Sequence, residues 1–196
     1  MGGSAGGAAT SVADLVRGFR PETALEHAVW RDPVLLTGLA WGKPRRGHPE
    51  GAVAAHVADL LEAIERSGET GERRAELRFI ALMHDSLKYR VANWRPKAGE
   101  NHHAMRARRY AERYTDDERL LATIEMHDRP YNLWRWPPRG RFDERRLMRM
   151  VERIPDLDLF VRFLELDGST EGKDPEPVRS FKEELASRGL RPAARR

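Results

Sequence analysis

Histidines on the inward stripes of helices constrain this chain more than any other feature. Apolar residues recur at spacings of three, four and seven through most of the sequence, the pattern of amphipathic helices packed on a common core. Four of these stripes carry a histidine. His56 sits among Val53, Val57, Leu60, Leu61 and Ile64; His84 completes Leu77 and Ile80; His103 opens a stripe with Ala107, Tyr110 and Tyr114; His127 closes Leu120 and Ile124. A later stripe, Phe160, Phe163 and Asp167, puts a carboxylate on an apolar face, which is costly unless the charge is paired or bound to a metal. One inward histidine is ordinary core. Four of them, with Asp167 and with Asp85 directly after His84, are hard to satisfy without a shared partner. Neutral imidazole and carboxylate suit divalent first-row cations, and helix bundles build metal sites by converging such side chains.

The same periodicity predicts the elements. Helices are expected from Ser11 to Phe19, from Pro21 through Trp30, from Pro33 behind an Asp32 cap, from Pro49 to about Ser67, and over Leu77 to Tyr89. Asn101 is the expected cap of a helix to about Tyr114, and Thr115 with Glu118 reads as a capping box for the next. Asp143 and Asp156 cap two more, and Val178, Phe181 and Leu185 mark a last one that stops near Gly189. Gly42 to Gly47 reads as a basic loop, as do Lys88 to Gly99 and the Arg-, Pro- and aromatic-rich run 129–142. No strand or repeat is predicted, so the class is all-α. Residues 1–10 read as a disordered Gly/Ala-rich segment, 11–190 as one helical domain and 191–196 as a mobile tail. Helical phase also separates neighbouring histidines: His102 lies about 100° around from His103 and is expected to be exposed.

Composition narrows the chemistry. There is no cysteine, so any metal is held by His, Asp or Glu. No apolar run is long enough to span a bilayer, and no secretory signal is visible, so the expected compartment is the cytoplasm, without a membrane partner. The formal charge is +4, and thirty of the 35 basic residues are arginine. That preference suits phosphate-bearing ligands. The excess is spread along the chain, so nucleic acid is not expected as a specific partner.

Three local stretches share a pattern. They are HPEGAVAAH (His48 to His56), MHDSLK (Met83 to Lys88) and HAMRARRYA (His103 to Ala111). With His127 and Asp167 they give the order H, HD, H, H, D, which resembles the HD-domain superfamily of metal-dependent phosphohydrolases. The first stretch is similar to the lead-in of HD domains attached to CCA-adding tRNA nucleotidyltransferases, with Ala52 in place of an aspartate. The second has Leu87 where a glycine is usual. The signature of cyclic-di-GMP phosphodiesterases is absent. The resemblance runs from about His48 to Asp167.

The resemblance implies an HD-domain-like helical bundle with one or two divalent cations (Mn, Fe, Ni, Co, Mg or Zn). It implies His56, His84, Asp85 and Asp167 as ligands of the common metal. It implies His103 and His127 as holders of a second metal bridged by Asp85, or as groups facing the phosphate where only one metal is bound. Asp85 and Lys88 become the expected catalytic groups, with Lys88 near the scissile phosphate. The expected activity is hydrolysis of a phosphomonoester or phosphodiester in a nucleotide or related small phosphate ester. The same six ligands occur in HD-type mixed-valence diiron oxygenases, similar to myo-inositol oxygenase and the phosphonate-cleaving oxygenases, so oxygenation of a polyol or phosphonate is the alternative. A non-catalytic ligand-binding module is the third reading, and the intact ligand set argues against it. Around the site, His48 and Glu50 either reach its edge or cap the helix. Arg90 and Arg129 either neutralise substrate charge or lie on solvated surface. Tyr131, Trp134 and Trp136 either stack on a base or pin their loop by packing. A homodimer is left open.

Overall fold

In the computed structural model, residues 15–43, 51–136, 138 and 142–190 are described. His48, Glu50 and most of the basic loop lie outside them, as do residues 1–10 and 191–196. The described residues form helices and no strand. The helices are α1 (Ala24–Val29), α2 (Pro33–Ala40), α3 (Val53–Arg66), α4 (Gly71–Met83), α5 (His103–Ala111), α6 (Glu118–Met126), α7 (Arg129–Trp134), α8 (Glu144–Val151), α9 (Leu157–Gly168) and α10 (Glu176–Ser187). Two short 3₁₀ turns, Lys88–Arg90 and Gly99–Asn101, connect α4 to α5. No helix is long and apolar enough to cross a membrane.

The caps explain most boundaries. Asp32 caps α2 with Pro33 at its first position, and Asp143 and Asp156 cap α8 and α9 through bonds from the backbone N–H of Arg146 and Leu159. Other boundaries depart from the sequence reading. Residues 15–19 are a helical residue followed by turns, and the next helix starts behind a Thr23–Glu26 capping box instead of at Pro21. Asp117 caps α6, and the hydroxyl of Thr115 accepts from the Asp117 N–H instead of capping the helix itself. The helix through Ile80 stops at Met83, with His84 as its C-cap. The run expected to be a loop from Arg129 forms α7, because Pro130 falls in its first turn, where a missing N–H costs nothing.

Two apolar cores share one wall. Leu159, Phe163 and Leu166 of α9 pack into the larger core, with Leu60 and Ile64 of α3, Leu77 and Ile80 of α4, Ala107 of α5 and Ile124 of α6. Phe160, Val161 and Leu164, on its other side, pack into the smaller core with Leu147, Met150, Phe181 and Leu185. A helix with apolar residues on two sides is held from both, which fixes the position of Asp167 at its end.

Two contacts tie the N-terminal helices to this bundle. Arg78 of α4 donates to Glu26 of α1 at 2.7 Å and to the carbonyl of Arg20 at 2.9 Å; the side chains are 6% and 0% exposed for Arg78 and Glu26. Gly38 of α2 lies so close to the turn after α4 that a Cβ there would sit 1.8 Å from the Ser86 carbonyl oxygen.

Candidate metal centre

The antiparallel run of helices brings the start of α3, the ends of α4 and α6, the start of α5 and the end of α9 to one end of the bundle. Each contributes a side chain. His56, His84, Asp85 and His127 are buried, and His103 is half-buried. Phe163 closes the inner side, edge-on to His84 at 5.3 Å and to His127 at 6.5 Å between ring centroids.

Helix ends set the tautomers. His84 and His127 each come directly after the last residue of a helix, and each places Nδ1 against the carbonyl three residues back, Ala81 at 3.0 Å and Ile124 at 2.9 Å. A nitrogen facing a carbonyl carries the proton, so the other ring nitrogen presents a lone pair. That second nitrogen faces another histidine in both cases. His84 Nε2 is 3.3 Å from His56 Nε2, and His127 Nε2 is 3.4 Å from His103 Nε2.

Asp85 stands between the two pairs. Its Oδ2 is 3.5 Å from His84 Nε2, while its Oδ1 is 3.4 Å from His103 Nε2 and 3.6 Å from His127 Nε2. Asp167 Oδ1 approaches from α9, 2.9 Å from His56 Nε2 and 3.9 Å from His84 Nε2. Asp85 Oδ1 and Asp167 Oδ1 are buried without a hydrogen-bond partner. Buried orphan oxygens facing imidazole nitrogens are costly as they stand and fit a divalent cation. His56, His84 and Asp85 form one group with metal-ligand spacing, and Asp85, His103 and His127 a second.

The electrostatics suit such an ion. Burial pushes the His84 imidazole down to about 3 and the His103 imidazole down to about 4, so both are neutral at pH 7. Burial alone would raise the Asp85 carboxyl, but Lys88, His84 and His127 outweigh it and hold the group well below the usual carboxylate range. Asp167 is likewise lowered against its burial, by Lys173, His56 and His84. Burial pulls His127 down, but Asp85 and Asp128 outweigh it and raise its pKa. Neutral imidazoles with ionised carboxylates are the protonation states a cation binds.

A cleft of about 430 Å³ opens onto this centre. Asp85, His103, His127 and Asp167 lie on its floor, Lys88 and Lys173 bring two ammonium groups, and Pro130 and Tyr131 form an apolar side. Lys88 is paired with Asp85 Oδ2, and Lys173 Nζ is 3.6 Å from Asp167 Oδ1. Arg90, Arg129 and Trp134 do not line the cleft. Arg90 is exposed and folds back on Tyr89, Trp134 stacks on Tyr131, and Arg129 faces a separate groove.

His102 is not exposed as expected. It caps α5 by accepting from the Ala104 N–H, and its Nε2 is 3.1 Å from Asp128 Oδ2. The sequence reading misses Asp128, although a signal is present: Met126, His127 and Asp128 repeat the tripeptide Met83, His84 and Asp85. His102, His103 and Asp128 also have metal-ligand spacing. His103 Nε2, however, is 4.0 Å from Asp128 and 3.4 Å from Asp85, and one nitrogen serves one ion. Lys173 carries no sequence signal, because the turn after α9 has no period.

Comparison with known protein families, with curated proteins and with solved structures finds no match to this chain.

Proposed function

We propose that this chain is a metal-dependent phosphohydrolase of the HD type, cleaving a phosphomonoester or phosphodiester bond in a nucleotide or related small phosphate ester. The observation that carries the reading is the two-sided Asp85 carboxylate, with one oxygen toward His84 and the other toward His103 and His127. In this reading His56, His84, Asp85 and Asp167 would hold one divalent cation, and Asp85, His103 and His127 a second. Such a cation would supply water activated at neutral pH and polarisation of a phosphoryl oxygen.

The chain's own groups do the rest. The Ala81 and Ile124 carbonyls lock His84 and His127 in the ligating tautomer, a role that commonly sustains metal affinity. Phe163 keeps water from the inner side of the rings. Lys88 and Lys173 meet the negative charge of a phosphate entering the cleft, and Lys88, tethered to Asp85 one turn away, stands closest to the reacting centre. Pro130 and Tyr131 offer apolar surface to the part of the substrate that does not react.

A panel of nucleotides with added manganese, nickel, cobalt or magnesium tests this. Release of phosphate or of a nucleoside monophosphate is expected. Lys88→Ala should lower kcat more than it raises KM, by about 10²-fold. If no phosphate ester is turned over with any metal, while the iron-loaded protein consumes dioxygen with a polyol or phosphonate, oxygenation replaces hydrolysis.

A further inference from the structure

Helix α7 has a second side. Pro130 and Tyr131 face the metal cleft, while Arg129 and Leu133 of the same helix line a neighbouring groove of about 520 Å³. The far wall of that groove is α8 and the turn after it. Arg146, Arg149 and Arg153 fall there at i, i+3 and i+7, one face of a helical pattern. Arg135 completes a set of five guanidinium groups, with Met126 and Met150 beneath and no acidic residue among the lining residues.

Several arginines elsewhere are paired with a carboxylate: Arg66 with Glu62, Arg74 with Glu22 and Glu65, Arg119 with Asp117 and Glu76, Arg179 with Glu176. Others, such as Arg90 and Arg95, lie against a ring. What sets the groove apart is that five guanidinium groups line one concavity. In the groove, Arg153 is held by the buried Glu125 at 2.6 Å. Among the described residues, Arg129, Arg135, Arg146 and Arg149 have no carboxylate within ion-pair distance. Instead Arg146 lies over the Trp136 ring at 5.4 Å and Arg135 over Tyr131 at 6.0 Å. Trp136 is 63% exposed and Tyr131 48%. Uncompensated like charges repel one another and create a field that favours an anion.

Guanidinium groups match phosphate, and the exposed Trp136 ring among them matches a base. An acidic protein segment would answer the charge but not the ring, and a flat anionic membrane would not fill a groove. The groove and the cleft also lie on either side of a six-residue helix, about 9 Å long. We propose that the α7–α8 groove binds the phosphodiester backbone of a single-stranded oligonucleotide, with Trp136 as a stacking surface. A strand held there passes its next phosphate over α7 into the metal cleft. Arg146, Arg149 and Arg153 make a short stripe in the sequence, but only the fold sets Arg129 and Arg135 opposite it. Delivery to the cleft rests on the phosphohydrolase reading; binding in the groove does not.

Binding is therefore measured with cleavage blocked, by fluorescence anisotropy of a labelled single-stranded oligonucleotide of about 12 residues. The wild-type chain is used with chelator present, and Asp85→Asn provides a second non-cleaving form. Affinity should fall with salt at a slope of about −0.7 per phosphate contacted, roughly −3 for four unpaired arginines. Arg146→Gln with Arg149→Gln should weaken binding at least about tenfold and flatten that slope by about 1.4. Trp136→Ala should weaken it by about 5- to 100-fold. All three positions are on the surface, so these variants keep the fold. No binding at low salt, equal binding by the double arginine variant, or tighter capture of an acidic peptide or of phosphatidylserine vesicles overturns the proposal. Oligonucleotide binding without turnover of any phosphate ester leaves the groove standing and removes the hydrolase.

Discussion

The chain uses the tripeptide Met-His-Asp twice, at 83–85 and at 126–128, and the two copies diverge after the histidine. Both histidines come directly after the last residue of a helix, and both bond the carbonyl three residues back. The aspartates part company. Asp85 is buried between two pairs of histidines. Asp128 is half-buried, pairs with His102 and accepts from the Asn132 side chain. The residues C-terminal to each aspartate decide this. After Asp85 the chain turns under Gly38 and into a 3₁₀ turn, pressing the carboxylate inward. After Asp128 it starts α7 at once, and Asp128 becomes that helix's N-cap residue facing the cleft side. A histidine at a helix end is oriented by the helix behind it, whereas an aspartate after it is oriented by the chain ahead.

The largest test of this comparison is to remove each carboxylate. Asp85→Ala is expected to lose bound metal and measurable activity while circular dichroism stays helical. Asp128→Ala is expected to keep metal and lose about 10- to 100-fold in activity, the range for a residue that supports a ligand without being one. Metal analysis alongside kinetics checks both; equal losses would collapse the distinction.

The histidines facing those aspartates sharpen it. His103→Ala should cost far more activity than His102→Ala, because His103 Nε2 faces Asp85 while His102 pairs with Asp128. The reverse order would move the centre to the second copy.

The chain ahead of each aspartate can be perturbed separately. Gly38→Ala forces the turn carrying Ser86 away from α2 and is expected to destabilise the protein by about 1–3 kcal/mol. Asn132→Ala removes one side-chain bond at 3.1 Å and should cost about 1 kcal/mol or less. Thermal melts of the two variants check the order.

The last contrast is the response to acid. Proton NMR of the metal-free protein should show His84 titrating at about 3 and His127 above the ordinary value, because burial dominates at His84 and Asp85 offsets it at His127. The two then act oppositely on stability. His84 binds fewer protons folded than unfolded between about 3 and 6.5, so its contribution is present above that window and is lost as pH falls through it. His127 binds more protons when folded, so its contribution is full below the unfolded value and is lost as pH rises through the folded one. Titration of both rings in the same direction would remove the contrast.

How much of this the sequence carries depends on the range over which each signal acts. The convergence of His56, His84, His103, His127 and Asp167 is legible because helical period and burial act within one element, and five elements give the same answer. Asp128 is not, although the tripeptide repeat is visible, because its direction depends on a helix whose proline and aromatic residues mark it as a loop. Lys173, and the meeting of Arg129 and Arg135 with the Arg146, Arg149 and Arg153 stripe, depend on which turns and helix faces meet, which no local period encodes. His48 lies outside the described residues, so the structure does not choose between its two readings.

The ion pair of Arg78 with Glu26 limits how far this chain can be shortened. The resemblance begins near His48, which invites a cut there. Such a cut would remove Glu26 and the Arg20 carbonyl, uncover the guanidinium and leave it Glu65, 3.2 Å away, as its partner. It would also take Val29, Leu35 and Leu39 out of the larger core. Each such buried side chain contributes about 1.5–3 kcal/mol, together a large share of the roughly 5–15 kcal/mol that keeps a domain folded. A fragment starting at 48 is expected to melt early or fail to fold. Silence from such a fragment in an activity screen would report on the lost N-terminal helices, not on the histidines.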